Sequence, residues 1–230
     1  MNTNLISSVF VALGLVAAGW QIGNAIQDGN ATKRIIEVRG LAEKEVQSDF
    51  AVWNLGFSAP GDSLTEAMEN VAKHREIVTQ FLIRQGFKAE EIVRNNITVE
   101  DTWANGGTRP PQRFNARASV ILGTRNIAAL SNAGQTLEDL LKAGVRFEYP
   151  SIEYRYTQLN SIKPAMLTEA TANAKKAAES FAKDSDAEIT GLAGATQGLF
   201  SIASPNGDYD DPASVIKKVR VVTQMRYTIK

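Results

Sequence analysis

One histidine, no cysteine and a short acidic loop are what this sequence offers a chemist. His74 is the only imidazole, so it is the one side chain whose ordinary pKa suits proton transfer near neutrality. No serine or cysteine nucleophile signature lies near it, and no obvious carboxylate orienter sits nearby in the sequence. It falls between Val71 and Val78 in the same apolar helical stripe and toward its edge, where a helix-flank histidine with a satisfied hydrogen bond is the plainer reading. Asn206-Gly-Asp208-Tyr-Asp210-Asp211 sets oxygens at alternate positions, like the opening of a calcium loop. That loop needs Gly at its sixth position and Glu at its twelfth. Here those positions hold Asp211 and Lys217, so a solvated acidic loop before Pro212 is expected instead. Asn105-Gly-Gly-Thr-Arg-Pro-Pro111, with Arg109 and Arg113, is rich in glycine and cation. It lacks the Lys-Ser/Thr of a phosphate loop and precedes no helix. A hairpin tip is expected, with contact to a neighbouring subunit as the sharper alternative. Trp53, Trp103, Tyr154 and Tyr156 would make a stacking surface if gathered on one face. On alternating strands they are expected to pack within sheets. No catalytic, cofactor or metal residue is assigned.

Composition narrows the function further. Lys+Arg and Asp+Glu number 25 each, so no basic excess draws the chain to nucleic acid. The absence of cysteine removes disulfides, thiol catalysis and thiolate metal sites. With one histidine, no multi-histidine metal centre forms within a single chain. The 230 residues, 43% hydrophobic and 22% charged, suit a globular body large enough to bury a core.

No ionisable side chain precedes Asp28. Leu5 to Ile26 forms an apolar run that as a helix would span roughly 33 Å, against a hydrocarbon layer of about 30 Å. A cleaved signal needs a positive n-region and a small-residue cleavage site. The start carries only its α-amino group, and Ala17-Ala18-Gly19 is followed by bulky Trp20. A retained single-pass anchor over 1–27 is therefore expected over a cleaved signal. Trp20 suits an interface, and Gly19 and Gly23 have the spacing of close helix pairing. The positive charges Lys33, Arg34 and Arg39 follow the span, but they do not fix the side occupied by a large domain.

Asp28 to Lys33 reads as a linker, and the body as 34–230. Strands are expected over Arg34–Arg39, ending at Gly40, and over Phe50–Ser58, where Ala51, Trp53, Leu55 and Phe57 share a face. Ser63 and Glu66 form a capping box. It opens a helix whose stripe is Leu64, Ala67, Met68, Val71, Val78, Phe81 and Leu82 and which stops at Gly86. Glu91–Trp103 and Phe114–Leu122 should pair as a long hairpin. A second helix should run from Ile127 to Ala143, capped by Asn126 or Thr124, with Leu130, Leu137, Leu140 and Leu141 inward. Phe147–Thr157 is a strand with Pro150 at an edge or bulge. An alanine-rich helix spans about Ser161–Ala182. Ile189–Ser204 is strand plus turn, and Val219–Ile229 is the last strand. Helices interspersed with hairpins indicate an α+β fold with largely antiparallel sheets.

These pieces resemble the SIMPL domain family, the YggE-like and periplasmic immunogenic proteins of bacteria. The matching stretches are Ile36-Glu-Val-Arg-Gly40 with the acidic run to Asp49, Leu82-Ile-Arg-Gln-Gly-Phe87, the Ile92–Thr98 strand and Phe114-Asn-Ala-Arg-Ala-Ser-Val120. The most characteristic is Leu167-Thr-Glu-Ala-Thr-Ala-Asn-Ala-Lys-Lys-Ala-Ala178. The resemblance covers about 34–230 and rests on packing and turn patterns. It implies a SIMPL-like α+β body, export to the periplasm, self-assembly into a homo-oligomer and a loose link to envelope or oxidative stress, with no enzymatic activity and no cofactor. Its address implies a single pass through the inner membrane, with the N-terminus on the inside and the body in the periplasm. A binding module for a small ligand or envelope component is the alternative reading, and an enzyme the last.

Overall fold

The computed structural model describes residues 12–23, 34–104 and 109–230. Helix α1 covers 12–23, and every residue of it is exposed. The rest of the expected anchor and the Asp28–Lys33 linker lie outside the described residues. Among the described residues no helix is long and apolar enough to cross a membrane.

The strands are β1 (Arg34–Gln47), β2 (Phe50–Gly61), β3 (Ile92–Arg94), β4 (Thr98–Asp101), β5 (Phe114–Thr124), β6 (Arg146–Phe147), β7 (Ser151–Arg155), β8 (Ile189–Gln197), β9 (Ser201–Ala203) and β10 (Ile216–Ile229). The helices that follow α1 are α2 (Leu64–Arg84), α3 (Ile127–Gln135), α4 (Glu138–Lys142) and α5 (Leu159–Asp184). One sheet runs β1-β10-β8, with β9 also on β10; the other runs β3-β5-β2-β6, with β4 also on β5 and β7 also on β2. The chain is α+β, and every pairing of β2 and β5 is antiparallel.

Two compact units emerge. The first takes in residues up to Gly40, Thr171–Gln197 and Thr223–Lys230. Its core joins Val38, Ala174, Ala178, Met225 and Tyr227. Ala174 and Ala178 of α5 are fully buried there, because a methyl side chain lets a helix backbone lie close to a sheet.

The second unit, Leu41–Ala170 with Gly198–Val222, carries the larger core. Ala51, Trp53, Leu55 and Phe57 of β2 and Ala116, Ala118, Val120 and Leu122 of β5 form its floor. Ala67, Val71, Val78, Phe81 and Leu82 of α2 belong to the same cluster. Ser63 caps α2 by accepting from the Glu66 N–H at 3.2 Å. The Glu66 carboxylate reaches back to the Asp62 N–H at 2.9 Å, one residue beyond the usual box. Gly86 ends the helix with φ +92°.

The elements depart from the sequence reading in five places. β1 continues through Gly40 to Gln47, because Val38, Gly40 and Ala42 are buried at period two and the glycine sits on the inner face. The expected Glu91–Trp103 strand is broken into β3 and β4, and Phe147–Thr157 into β6 and β7. The helix expected over Ile127–Ala143 divides at Thr136–Leu137, where the Thr136 hydroxyl bonds the Ala133 carbonyl at 3.1 Å. That division turns Leu141 outward, 54% exposed, while Leu130 and Leu140 stay buried. At the start of α2, Leu64 and Met68 are exposed as well.

Candidate functional site

The expected site residues do not converge. His74, on α2, is half-buried, and burial pushes its pKa below the ordinary imidazole value; a hydrogen bond to the Ser58 backbone acts the other way. A bond that favours the charged ring must be to the carbonyl. Nδ1 is buried without a partner. His74 is held by main chain, and no nucleophile or carboxylate bonds it among the described residues.

The acidic loop closes on a protein cation. The Lys217 ammonium donates to Asp210 Oδ1 at 2.6 Å and to the Asp211 carbonyl at 2.7 Å, and its side chain is 1% exposed. The residue that breaks the calcium pattern thus brings the positive charge itself. The Asp211 carboxylate turns back to the Ala213 N–H at 3.0 Å.

The aromatics are dispersed. Trp53 and Tyr154 lie in the core beneath β2, and Tyr156 packs against a separate cluster with Met166 and Val219. Trp103 is at the hairpin tip, where its Nε1–H donates to the Pro110 carbonyl at 3.1 Å. Arg109 and Arg113 lie 5.3 and 5.9 Å from its ring centre. Asp101 grips Arg113 through contacts of 2.7 to 3.2 Å, and these bonds bring the Asp101 carboxyl below its usual range. Residues 105–108 of the tip loop lie outside the described residues.

A polar groove that no sequence motif flagged lies on the outer face of the six-stranded sheet. Gly56 of β2 pairs with Ser119 of β5, and both flanking strands bulge at this rung. On one side Arg94 pairs with Val120 and Thr98 with Arg117, so 95–97 oppose only 118 and 119. On the other side Phe147 pairs with Phe57 and Ser151 with Asn54, so 148–150 oppose only 55 and 56. One surplus residue on each side makes a bulge, which lifts its strand and re-aims side chains.

The first bulge is pinned by Asn95, whose backbone N–H donates to the Ser119 carbonyl at 3.0 Å and whose Nδ2 donates to Ser119 Oγ at 2.8 Å. The second is pinned by the Glu148 N–H, which donates to the Gly56 carbonyl at 2.7 Å. The Glu148 carbonyl passes so close over the sheet that a Cβ on Gly56 would lie 2.7 Å from it. Glycine is needed there for space. Tyr149 follows with φ +51° and is 93% exposed, an outlier for a bulky residue.

Arg117 spans the groove. Its Nε meets Glu148 Oε2 at 3.0 Å and its Nη1 meets Glu100 Oε2 at 2.7 Å. The hydrogen bond to Glu100, with help from Glu148, raises the guanidinium pKa further, so the charge is fixed. The depression holds about 300 Å³, at the lower end of ligand pockets. It offers hydrogen-bond donors and acceptors but no activated nucleophile.

The sequence signals were present but weak: Gly56 inside a strand pattern, Asn95-Asn96 in another and Tyr149-Pro150 in a third. Each marks a bulge or a close approach. Only pairing reveals that they share a rung.

An α+β body of long antiparallel strands, with a polar outer groove and no catalytic constellation among its described residues, defines a packing-based class. The chain belongs to the SIMPL family, described as a protein of unknown function (DUF541), whose sequence model matches residues 36–225. No curated protein matches it.

Proposed function

We propose that this protein is a non-enzymatic, membrane-anchored component of the bacterial envelope that self-assembles through its SIMPL body. In this reading the N-terminal helix stays in the inner membrane and the body occupies the periplasm, with a role in envelope or oxidative stress. The observation that carries it is α1. Leu13, Leu15, Val16, Trp20 and Ile22 are all exposed, and no charged residue lies between Met1 and Asp28. An apolar helix uncovered by its own chain gains free energy by entering lipid or meeting another copy. Glycine at 19 and 23 leaves open space where a Cβ would stand, which suits close approach of a second helix. Tethering copies in a plane raises their effective concentration, so weak lateral contacts between bodies suffice.

Full-length protein extracted from membranes in mild detergent and weighed by native mass spectrometry tests this. The expected species is a discrete multimer of subunits near 25.0 kDa. A monomer shortened by about two dozen residues would show a discarded export signal and refute the anchor. Deleting Asn105–Pro111 should lower the multimer's order while the body stays folded.

A further inference from the structure

We propose that the outer-face groove around Gly56 and Ser119 is a binding site for a neutral, hydroxyl-rich ligand, a segment of an uncharged oligosaccharide. The charge balance comes first. Arg117 contributes one positive charge and Glu100 and Glu148 two negative ones, so the groove carries one net negative charge. It therefore disfavours phosphates and carboxylates, and the guanidinium is already engaged by both carboxylates. Each carboxylate meets that guanidinium through its Oε2 atom.

What remains for recognition is neutral. Asn96 and Thr98 line the groove, and their side chains make no hydrogen bond among the described residues. Ser119 Oγ accepts from Asn95, which leaves its proton free to donate. Carboxamide and hydroxyl groups both donate and accept. A sugar hydroxyl does the same, which makes it their natural counterpart.

Shape agrees with chemistry. The floor at Gly56 has no side chain, and both walls are raised by bulges. An open trough of about 300 Å³ admits one or two sugar units and leaves a longer chain free to continue at either end.

The test is titration calorimetry on the full-length protein, held in a detergent without a sugar headgroup. The probes are chitotetraose, cellotetraose and maltotetraose, with spermidine and inorganic phosphate as cationic and anionic probes. At least one tetraose should bind saturably, and the two ionic probes should not. The double variant Asn96→Ala, Thr98→Ala removes no hydrogen bond of the fold. It should lower the affinity by about tenfold or more, the scale of one or two lost hydrogen bonds, with an unchanged melting temperature. Tyr149→Ala, outside the lining residues, should leave the affinity unchanged. The proposal is overturned if no tetraose binds, if binding survives the double variant, or if spermidine or phosphate binds and the double variant abolishes that binding. Copy number is read separately by native mass, so failure here leaves the anchored-assembly reading standing, and the reverse holds.

Discussion

Two charge clusters in the same unit have opposite designs. At Lys217 the cation is buried and a carboxylate and a carbonyl close over it from the acidic loop. At Arg117 the cation is about half-exposed and bridges two partly exposed carboxylates on an open groove. A buried ammonium that lost its partners would face a desolvation cost of several kcal/mol, so the first cluster ties loop 204–214 to β10. An exposed pair contributes about 0–1 kcal/mol, so the second cluster does little for stability and serves to set the charge and shape of a surface. Similar ion pairs therefore have different meanings, and burial decides between them.

Four measurements test that contrast. The largest effect is expected at the buried cluster. Lys217→Ala removes a packed stem and both bonds, and should cost about 3 kcal/mol, read as a lowered urea midpoint. A loss below about 1 kcal/mol, the exposed-pair range, would put Lys217 in the same class as Arg117. Gly56→Ala comes next. Its Cβ would sit 2.7 Å from the Glu148 carbonyl oxygen, and overpacking of this kind costs about 1–3 kcal/mol. The second bulge should lift away, with a change at the Glu148 amide visible by NMR; an unperturbed bulge would mean the approach is not tight.

A pH titration probes the polar group that burial disfavours. Because the His74 pKa is lowered in the fold, the unfolded chain binds the proton more readily. Stability should be full above about pH 6.5, the free imidazole value, and fall as pH drops through the folded-state pKa. His74→Gln should flatten that part of the curve, and a variant with the parent's slope would place the pH dependence elsewhere. The smallest effect is expected from Arg117→Ala, at most about 1 kcal/mol. A large fall in melting temperature would make the groove cluster structural after all.

Much of this architecture was legible in the residues. Period-two burial located β2 and β5, whose inner rows match the expected ones. Ser63 and Gly86 bracketed α2 as the capping chemistry requires. Gly40 misled because a lone glycine resembles a stop, while the alternation of Val38, Gly40 and Ala42 carries the strand through it. Pro150 marked the break in Phe147–Thr157, but the break in the Glu91–Trp103 strand was not placed, for a different reason. A bulge is a mismatch between two chains, and no single segment records its partner's register. The groove inherits that limit, since Asn96, Arg117 and Glu148 are distant in sequence and meet only through two pairings. Lys217 was legible as a broken calcium motif, though not as the cation that takes the metal's place.

The seclusion of Lys217 also has a consequence in time. Amine-reactive reagents need a free, solvated amine, and this one is enclosed and engaged by two oxygens. Solvated lysines should acylate within the reagent's own lifetime, whereas Lys217 can react only during moments when the acidic loop lifts off. Its labelling rate, followed peptide by peptide, is therefore a clock for the breathing of that loop, built into the sequence and needing no attached probe.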